Sequence, residues 1–169
     1  MTSKTSADEV DRQLRTALQF TLDDLEANRA GRLSDSQSRQ VGNKLLFQIV
    51  TFIGLSIIPV VLMAASRPNI NPMLFVALYA SLVVFIVAWF RRQWQVDVKQ
   101  RLVLSAEGPL SKESYTNDQM LGRIDYTLIV HGERMGVSEQ GYGAFTEGEA
   151  YRVFYTVQGR QVISAEYLG

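Results

Sequence analysis

The chain has no cysteine and a single histidine, His131, among its 169 residues. The lack of cysteine excludes disulfide bonds, thiolate metal sites and a cysteine nucleophile. With one histidine, neither a Ser-His-Asp triad nor a zinc site can be assembled in the usual way. We therefore expect no enzymatic activity, no metal and no other cofactor, and we interpret His131 as a solvated residue at the tip of a β-hairpin.

An excess of charge of either sign is also missing. The 17 Lys and Arg residues balance 17 Asp and Glu residues, and the balance holds within residues 1–44 and within residues 91–169. A nucleic-acid-binding surface normally shows as a clustered positive face. The sequence therefore predicts that nucleic acid is not a partner.

What the chain does contain is two long stretches without any charged residue, 45–65 and 72–90. Both are apolar on all sides, whereas a helix on the surface of a soluble protein keeps a polar face. About 20 apolar residues are needed to cross the hydrocarbon core of a bilayer. The pattern predicts a transmembrane hairpin over 45–90, and neither span carries the ionisable residues that are typical of transporters.

Basic residues flank this hairpin at its two outer ends, while Arg67 is the only one between the spans. Positive residues near membrane spans remain on the cytoplasmic side. We therefore expect both termini to be cytoplasmic. The flanking residues are Arg29, Arg32, Arg39 and Lys44 before the hairpin, and Arg91, Arg92, Lys99 and Arg101 after it.

Residues 1–44 are predicted to form a cytoplasmic amphipathic helical segment. Ser6 and Glu9 have capping-box spacing, and Gly31 suits the position just past a helix end. An isolated helix of this length is marginally stable in water. Its leucine face must therefore pack on the protein's own C-terminal domain, on the membrane surface or on another chain, and the sequence leaves these alternatives open. The leucine face consists of Leu14, Leu18, Leu22 and Leu25.

A second helix start follows Gly31, because Ser34 and Gln37 repeat the capping-box spacing. The same joint has the spacing of an EF-hand loop, but its last position is Gln37 rather than the bidentate glutamate that calcium requires. We therefore interpret it as a helix–turn–helix joint without metal. The residues at the EF-hand positions are Glu26, Asn28, Gly31, Leu33 and Gln37.

Residues 22–45 resemble the SHOCT motif, a short two-helix segment found mostly at the ends of bacterial proteins. The resemblance departs from the motif at Gln37 and Ser38, where an acidic-aromatic pair is usual. It implies a role in oligomerisation or tethering and no chemistry. The residues that carry it are Leu22, Leu25, Gly31, Leu33, Ser34, Lys44 and Leu45.

Residues 94–169 change to an alternating pattern that predicts five short strands. Gly-containing turns at His131-Gly132 and Gln158-Gly159 predict two hairpins. Five short strands whose edges need covering are typical of a small closed β-barrel of OB or SH3-like type. The predicted strands are one within 95–107, ended by Gly108-Pro109 and a loop through Asp118, and then Arg123–Val130, Arg134–Ser138, Ala150–Val157 and Gln161–Leu168.

Aromatic residues crowd this predicted barrel. Tyr142, Phe145, Tyr151 and Tyr155 are candidates for a binding patch, since SH3-like barrels bind peptides through exposed tyrosines. A small barrel also needs large aromatic side chains to fill its core. We expect Val153, Tyr155 and Ile163 to belong to that core.

The layout of a membrane hairpin followed by a small cytoplasmic barrel resembles the short NfeD-type proteins of bacterial membranes, which are thought to scaffold other membrane proteins. The resemblance implies an integral protein of the bacterial cytoplasmic membrane with an α+β fold. The expected function is that of a non-enzymatic membrane-anchored scaffold or accessory subunit, whose partner is another membrane protein or a second copy. The alternative is a ligand- or peptide-sensing membrane module with the barrel as receptor.

Overall fold

The computed structural model describes residues 2–66, 72–117 and 123–169. Its contacts divide the chain into two units. Met1–Gln37 and Arg101–Gly169 form the first unit, and Ser38–Gln100 form the second. Most of the N-terminal segment thus belongs to the same unit as the C-terminal sheet.

The first unit is built on a five-stranded antiparallel sheet with the order β3-β2-β1-β4-β5. Strand β3 makes one isolated parallel bridge, Gly136–Gln161, to the residue just before β5, supported by a 2.8 Å hydrogen bond from the Gly136 N–H to the Arg160 carbonyl. Because β3 and β5 form no ladder with each other, the sheet is not closed, and the prediction of a closed barrel is wrong on this point. The strands are β1 (Val103–Asn117), β2 (Arg123–Val130), β3 (Glu133–Val137), β4 (Ala150–Thr156) and β5 (Val162–Tyr167).

Strand β1 differs most from its prediction. Residues Gln95–Lys99 form a π-helical turn, so the strand begins only at Val103 and then runs through Gly108 and Pro109 to Asn117. Gly108 has a φ of 143°, which glycine adopts readily, and Pro109 has no N–H to pair. At this point β1 changes partner, from β4 for its first half to β2 for its second half. The Gly-Pro pair is thus a bend within a strand, where the sequence predicted its end.

The N-terminal segment forms two helices where one was predicted, α1 (Thr2–Leu18) and α2 (Leu22–Arg29). Gln19 has a φ of 57°, and Thr21 caps α2 in a capping box with Asp24, which ends one helix and starts the next. The helix α1 already begins at Thr2, so Ser6 is not its cap. The expected turn at Gly31 is confirmed, with a φ of 74°.

Both faces of β4 are buried, which the alternating pattern did not predict. Val153 and Tyr155 lie in the core as expected and Tyr151 lies there too, whereas Ile163 is only partly buried. Phe154 and Thr156 on the opposite face of β4 are buried as well. Phe154 is the register partner of Ser164 in β5, and Ser164 is hydrogen-bonded to Asn28 of α2. The outer face of the sheet is therefore covered where α2 lies against it.

The second unit is an antiparallel helical hairpin. The helix α3 (Asp35–Ser66) begins after the predicted Ser34–Gln37 capping box, whose two hydrogen bonds are present, and α4 spans Pro72–Trp94. Within this unit the rings of Phe52 and Phe90 lie 6.1 Å apart. The predicted connection between the spans falls on residues 67–71, outside the described residues.

One helical stretch among the described residues, Asp35–Ile58, is long and apolar enough to cross a membrane. This stretch overlaps the first predicted span, 45–65. The second predicted span, 72–90, is helical within α4, but its passage through a membrane stays a prediction. A short helix, α5 (Glu139–Ala144), lies between β3 and β4.

Candidate functional site

The leucine face of the N-terminal segment packs within its own unit. Leu14 and Leu25 are buried in the core with the sheet, and Leu18 packs against the same cluster. Leu22 is 59% exposed, because the break at Gln19 turns α2 relative to α1. Three of the four leucines therefore find their partner in the chain itself.

Polar contacts hold α2 against β5. Asn28 donates a 2.7 Å hydrogen bond from its amide nitrogen to the Ser164 hydroxyl, and Arg29 pairs with the buried carboxylate of Glu166. Gln37 donates a hydrogen bond to the carbonyl of Ile163. Two of the residues at EF-hand positions, Asn28 and Gln37, therefore form hydrogen bonds within the chain. No cluster of three or more His, Asp or Glu side chains suited to a metal ion is present in the part of the chain that the structure describes.

Asp24 joins the starts of two helices. Its carboxylate accepts hydrogen bonds from the Thr21 N–H at 2.8 Å, from the Ser36 hydroxyl at 2.6 Å and from the Ser34 hydroxyl. Burial alone would raise the pKa of Asp24. The hydrogen bonds together lower the pKa by more than burial raises it, so the net pKa lies below its ordinary value. The carboxylate is therefore held in its charged form at the N-terminal ends of α2 and α3, where helix dipoles also favour negative charge.

Three of the four aromatic candidates form part of the core. Tyr151 is 0% exposed, and Phe145 and Tyr155 are buried in the same core cluster. The rings of Phe145 and Tyr151 meet edge to face at 5.0 Å, and burial raises the pKa of Tyr155. These side chains present no surface to a peptide or ligand.

Tyr142 is the one aromatic candidate that retains exposed surface, and it belongs to a small cluster on α5, β1 and β2. Its ring lies 4.9 Å from that of Tyr126, and Lys112 Nζ lies 4.2 Å above its centre. Lys112 also donates a 3.0 Å hydrogen bond to the carbonyl of Phe145. Lys112 falls within the loop predicted after Gly108-Pro109, and only the register of β1 with β2 brings it to this cluster.

His131 lies at the turn between β2 and β3, as predicted. It is exposed, and both His131 and Gly132 have positive φ, as a two-residue hairpin turn requires. The sequence contains one histidine, so His131 has no second histidine with which to bind a metal or to catalyse a reaction.

The most extensive feature of the molecule is the apolar surface of the α3–α4 hairpin. Phe47 is 73% exposed and Met73 is 79% exposed, although the two helices already pack against each other. Between Leu45 and Phe90 the described residues include no charged side chain. Large apolar side chains with exposed surface include Leu46, Phe47, Val50, Phe52, Leu55, Ile57, Ile58, Val61 and Leu62 on α3, and Met73, Leu78, Leu82, Val84, Phe85, Val87 and Trp89 on α4.

Three polar side chains within this hairpin bond to backbone carbonyls of the same hairpin. The hydroxyls of Ser56 and Ser81 donate to the carbonyls of Ile53 and Ala77, each at 2.8 Å. The Tyr79 hydroxyl reaches the Ile53 carbonyl at 3.5 Å across the two helices. Helices in lipid require this internal pairing, since no water is present to replace it.

Comparison with protein-family models, with curated proteins and with solved structures finds no match to this chain. The resemblances to the SHOCT motif and to NfeD-type proteins therefore rest on the quoted residues and on layout alone.

Proposed function

We propose that this protein is a non-enzymatic, membrane-anchored scaffold or accessory subunit. In this proposal the α3–α4 hairpin spans the bilayer twice, and the sheet unit lies at the cytoplasmic face, where it contacts another membrane protein or a second copy. The observation that carries the proposal is the apolar surface of the hairpin, which remains exposed on α3 and α4 after the two helices have paired.

The size of this surface supports lipid as its environment. Soluble monomers rarely expose a contiguous apolar patch larger than a few hundred Å². Here exposed leucine, valine, isoleucine and phenylalanine side chains run along both helices without an intervening charge in the described residues. The serine hydroxyls that bond to their own helix backbones are consistent with the same environment.

The charge pattern supports the proposed orientation. Eight basic residues flank the hairpin at its outer ends, against Arg67 alone between the spans. This asymmetry favours cytoplasmic termini. A bacterial cytoplasmic membrane is proposed on the layout that resembles NfeD-type proteins.

The finer fold assignment that we propose for the sheet is a partly open barrel of the OB type. Strand β1 pairs with both β2 and β4, α5 lies between β3 and β4, and β3 touches β5 in parallel at Gly136. This arrangement suits a five-stranded, partly open Greek-key barrel. Fold does not establish function, so this assignment adds no activity.

The alternative, a receptor for peptides or ligands, would need an exposed aromatic patch. The burial of Phe145, Tyr151 and Tyr155 removes most of the predicted patch. The scaffold proposal is therefore the one that the geometry favours.

The proposal is tested by purifying the full chain from membranes in two mild detergents and determining the mass and composition of the particle. We expect a stable assembly larger than one chain in both detergents. A single chain that carries no partner in either detergent would contradict the scaffold role. Mock purification from cells that lack the tagged chain supplies the control for contaminants.

A further inference from the structure

The second half of β1 has an unpaired edge. Strand β4 pairs with β1 only over Val103–Pro109, whereas β2 pairs with Leu110–Asn117 on the opposite side. In the described ranges no strand lies against Ser111–Asn117 on the side where β4 ended. The residues from Glu113 to Thr116 are exposed, and Tyr115 is 57% exposed.

The direction of the backbone groups along this edge follows from Leu110. Its N–H donates to the Glu149 carbonyl at 2.9 Å, and its carbonyl accepts from the Gly148 N–H at 2.8 Å, so both groups of Leu110 point away from β2. Backbone direction alternates along a strand, with residues two apart alike. Lys112, Ser114 and Thr116 therefore direct three N–H and three C=O groups to the open edge.

The usual protections of an edge strand are missing from this segment. Natural edges are blunted by proline, by bulges or by free charges. Ser111–Asn117 contains no proline, and its two charged side chains are engaged within the chain. Lys112 bonds to the Phe145 carbonyl, and Glu113 pairs with Arg134.

We propose that this edge pairs with the same edge of a second copy of the chain, antiparallel and about a twofold axis at Ser114. In this register Ser114 faces Ser114 of the second copy, and Lys112 faces Thr116 of the second copy. The three N–H and three C=O groups of each copy then form six hydrogen bonds in all. A twofold axis normal to the sheet keeps equivalent faces on the same side, as a closed dimer requires.

The self-complementary backbone pattern of this edge, with no like charges opposed in the twofold register, favours a second copy as the occupant. The segment carries one positive and one negative side chain, and the twofold register places no like charges opposite each other. Glu113 faces Tyr115 of the second copy, which also covers the exposed tyrosine. This inference selects the second copy among the partners of the proposed function, and it does not require insertion into a membrane.

A cysteine at Ser114 tests the register directly, because the chain has no cysteine of its own. Cα atoms of a hydrogen-bonded antiparallel pair lie about 5.5 Å apart, within the range that a disulfide bridges. Ser114→Cys in the full-length protein in detergent should therefore form a disulfide dimer on mild oxidation. Thr116→Cys is the matched control, since two such cysteines would lie about 14 Å apart, four residues along the strand.

Proline at the same position supplies a second test that needs no cross-link. Ser114→Pro removes an edge N–H from each copy but leaves the β1–β2 ladder intact, because that N–H points away from β2. Losing two of six hydrogen bonds should weaken dimerisation by about thirtyfold in sedimentation, whereas Ser114→Ala should dimerise normally.

Equal cross-linking of the Ser114→Cys and Thr116→Cys variants would overturn the register. Dimerisation of Ser114→Pro with undiminished affinity, or the absence of any dimer of the unaltered chain, would overturn the interface. Cross-linking of Ser114→Cys to a different protein alone would indicate that the edge takes another partner and would likewise overturn the proposal. Membrane association of Ser114→Pro is measured in parallel, so that a failure of this interface and a failure of the anchor are distinguished.

Discussion

Asn28 and Ser164 form a buried hydrogen bond of 2.7 Å that joins α2 to β5 across 136 residues of sequence. The amide nitrogen of Asn28 donates and the Ser164 hydroxyl accepts, while the Asn28 Oδ1 atom has no partner in the part of the chain that is described. A polar pair of this kind fixes where the helix lies on the sheet, because displacement would leave both groups without a partner in an apolar site.

Ser164→Ala should lower the free energy of unfolding by about 1–3 kcal/mol, since the buried Asn28 amide loses its acceptor. Asn28→Ala should have a similar cost. The double variant should lose less than the sum of the two, which denaturant unfolding of the purified protein measures. Strictly additive losses would show that the two residues do not interact.

Tyr155→Ala should destabilise the sheet unit by about 3–5 kcal/mol, because it removes a buried aromatic side chain from the core. Leu168→Ala is the control on an exposed side chain of the same unit and should change stability by less than about 0.5 kcal/mol. Limited proteolysis and thermal unfolding compare the two variants. A near-normal unfolding transition for Tyr155→Ala would show that Tyr155 is not part of the core.

The leucine face separates into a buried part and an exposed part. Leu14→Ala should cost about 2–5 kcal/mol of stability, since Leu14 is fully buried against the sheet. Leu22→Ala should cost little, because the side chain is 59% exposed. Thermal unfolding of both variants provides the comparison, and a larger loss for Leu22→Ala would contradict the division of the leucine face into buried and exposed parts.

Elements determined by local sequence could be predicted closely. The β2–β3 hairpin follows from the turn chemistry of His131-Gly132, and the Ser34–Gln37 capping box follows from its spacing. The break between α1 and α2 could not be read from the leucine steps, which continue past it. The Thr21–Asp24 capping box was its local signal, and the burial of Phe20 reinforces the break.

Features determined by distant parts of the chain were not predictable. Gly108-Pro109 has the composition of a turn, but pairing with β4 and then with β2 keeps it inside a strand. Burial of Phe154 depends on α2, which lies more than a hundred residues away in sequence. The aromatic candidates could not be divided into core and surface for the same reason, because only the register of the strands determines which of them are covered.

Asp24 should contribute an acid-sensitive part of the stability. Its folded pKa lies below the ordinary value of 3.8, so its contribution is present above that pH and is lost as the pH falls through the lowered folded pKa. Asp24→Asn should therefore flatten the acid limb of a plot of melting temperature against pH. Ser36→Ala, which removes one hydrogen bond to Asp24 but keeps the carboxylate, should flatten the limb less than Asp24→Asn does. An unchanged acid limb in Asp24→Asn would contradict the assignment.

The hairpin's passage through the membrane is tested most directly by cysteine accessibility in intact cells, for which the cysteine-free chain gives no background. Gln140 in α5 is exposed and suits the label, whereas Ser164 is buried and does not. A cysteine at Asn69, between the two predicted spans, should react with a membrane-impermeant thiol reagent. A cysteine at Gln140 should react only after the cells are permeabilised. Equal labelling of the two positions in intact cells, or the reverse pattern, would contradict a two-pass anchor with cytoplasmic termini.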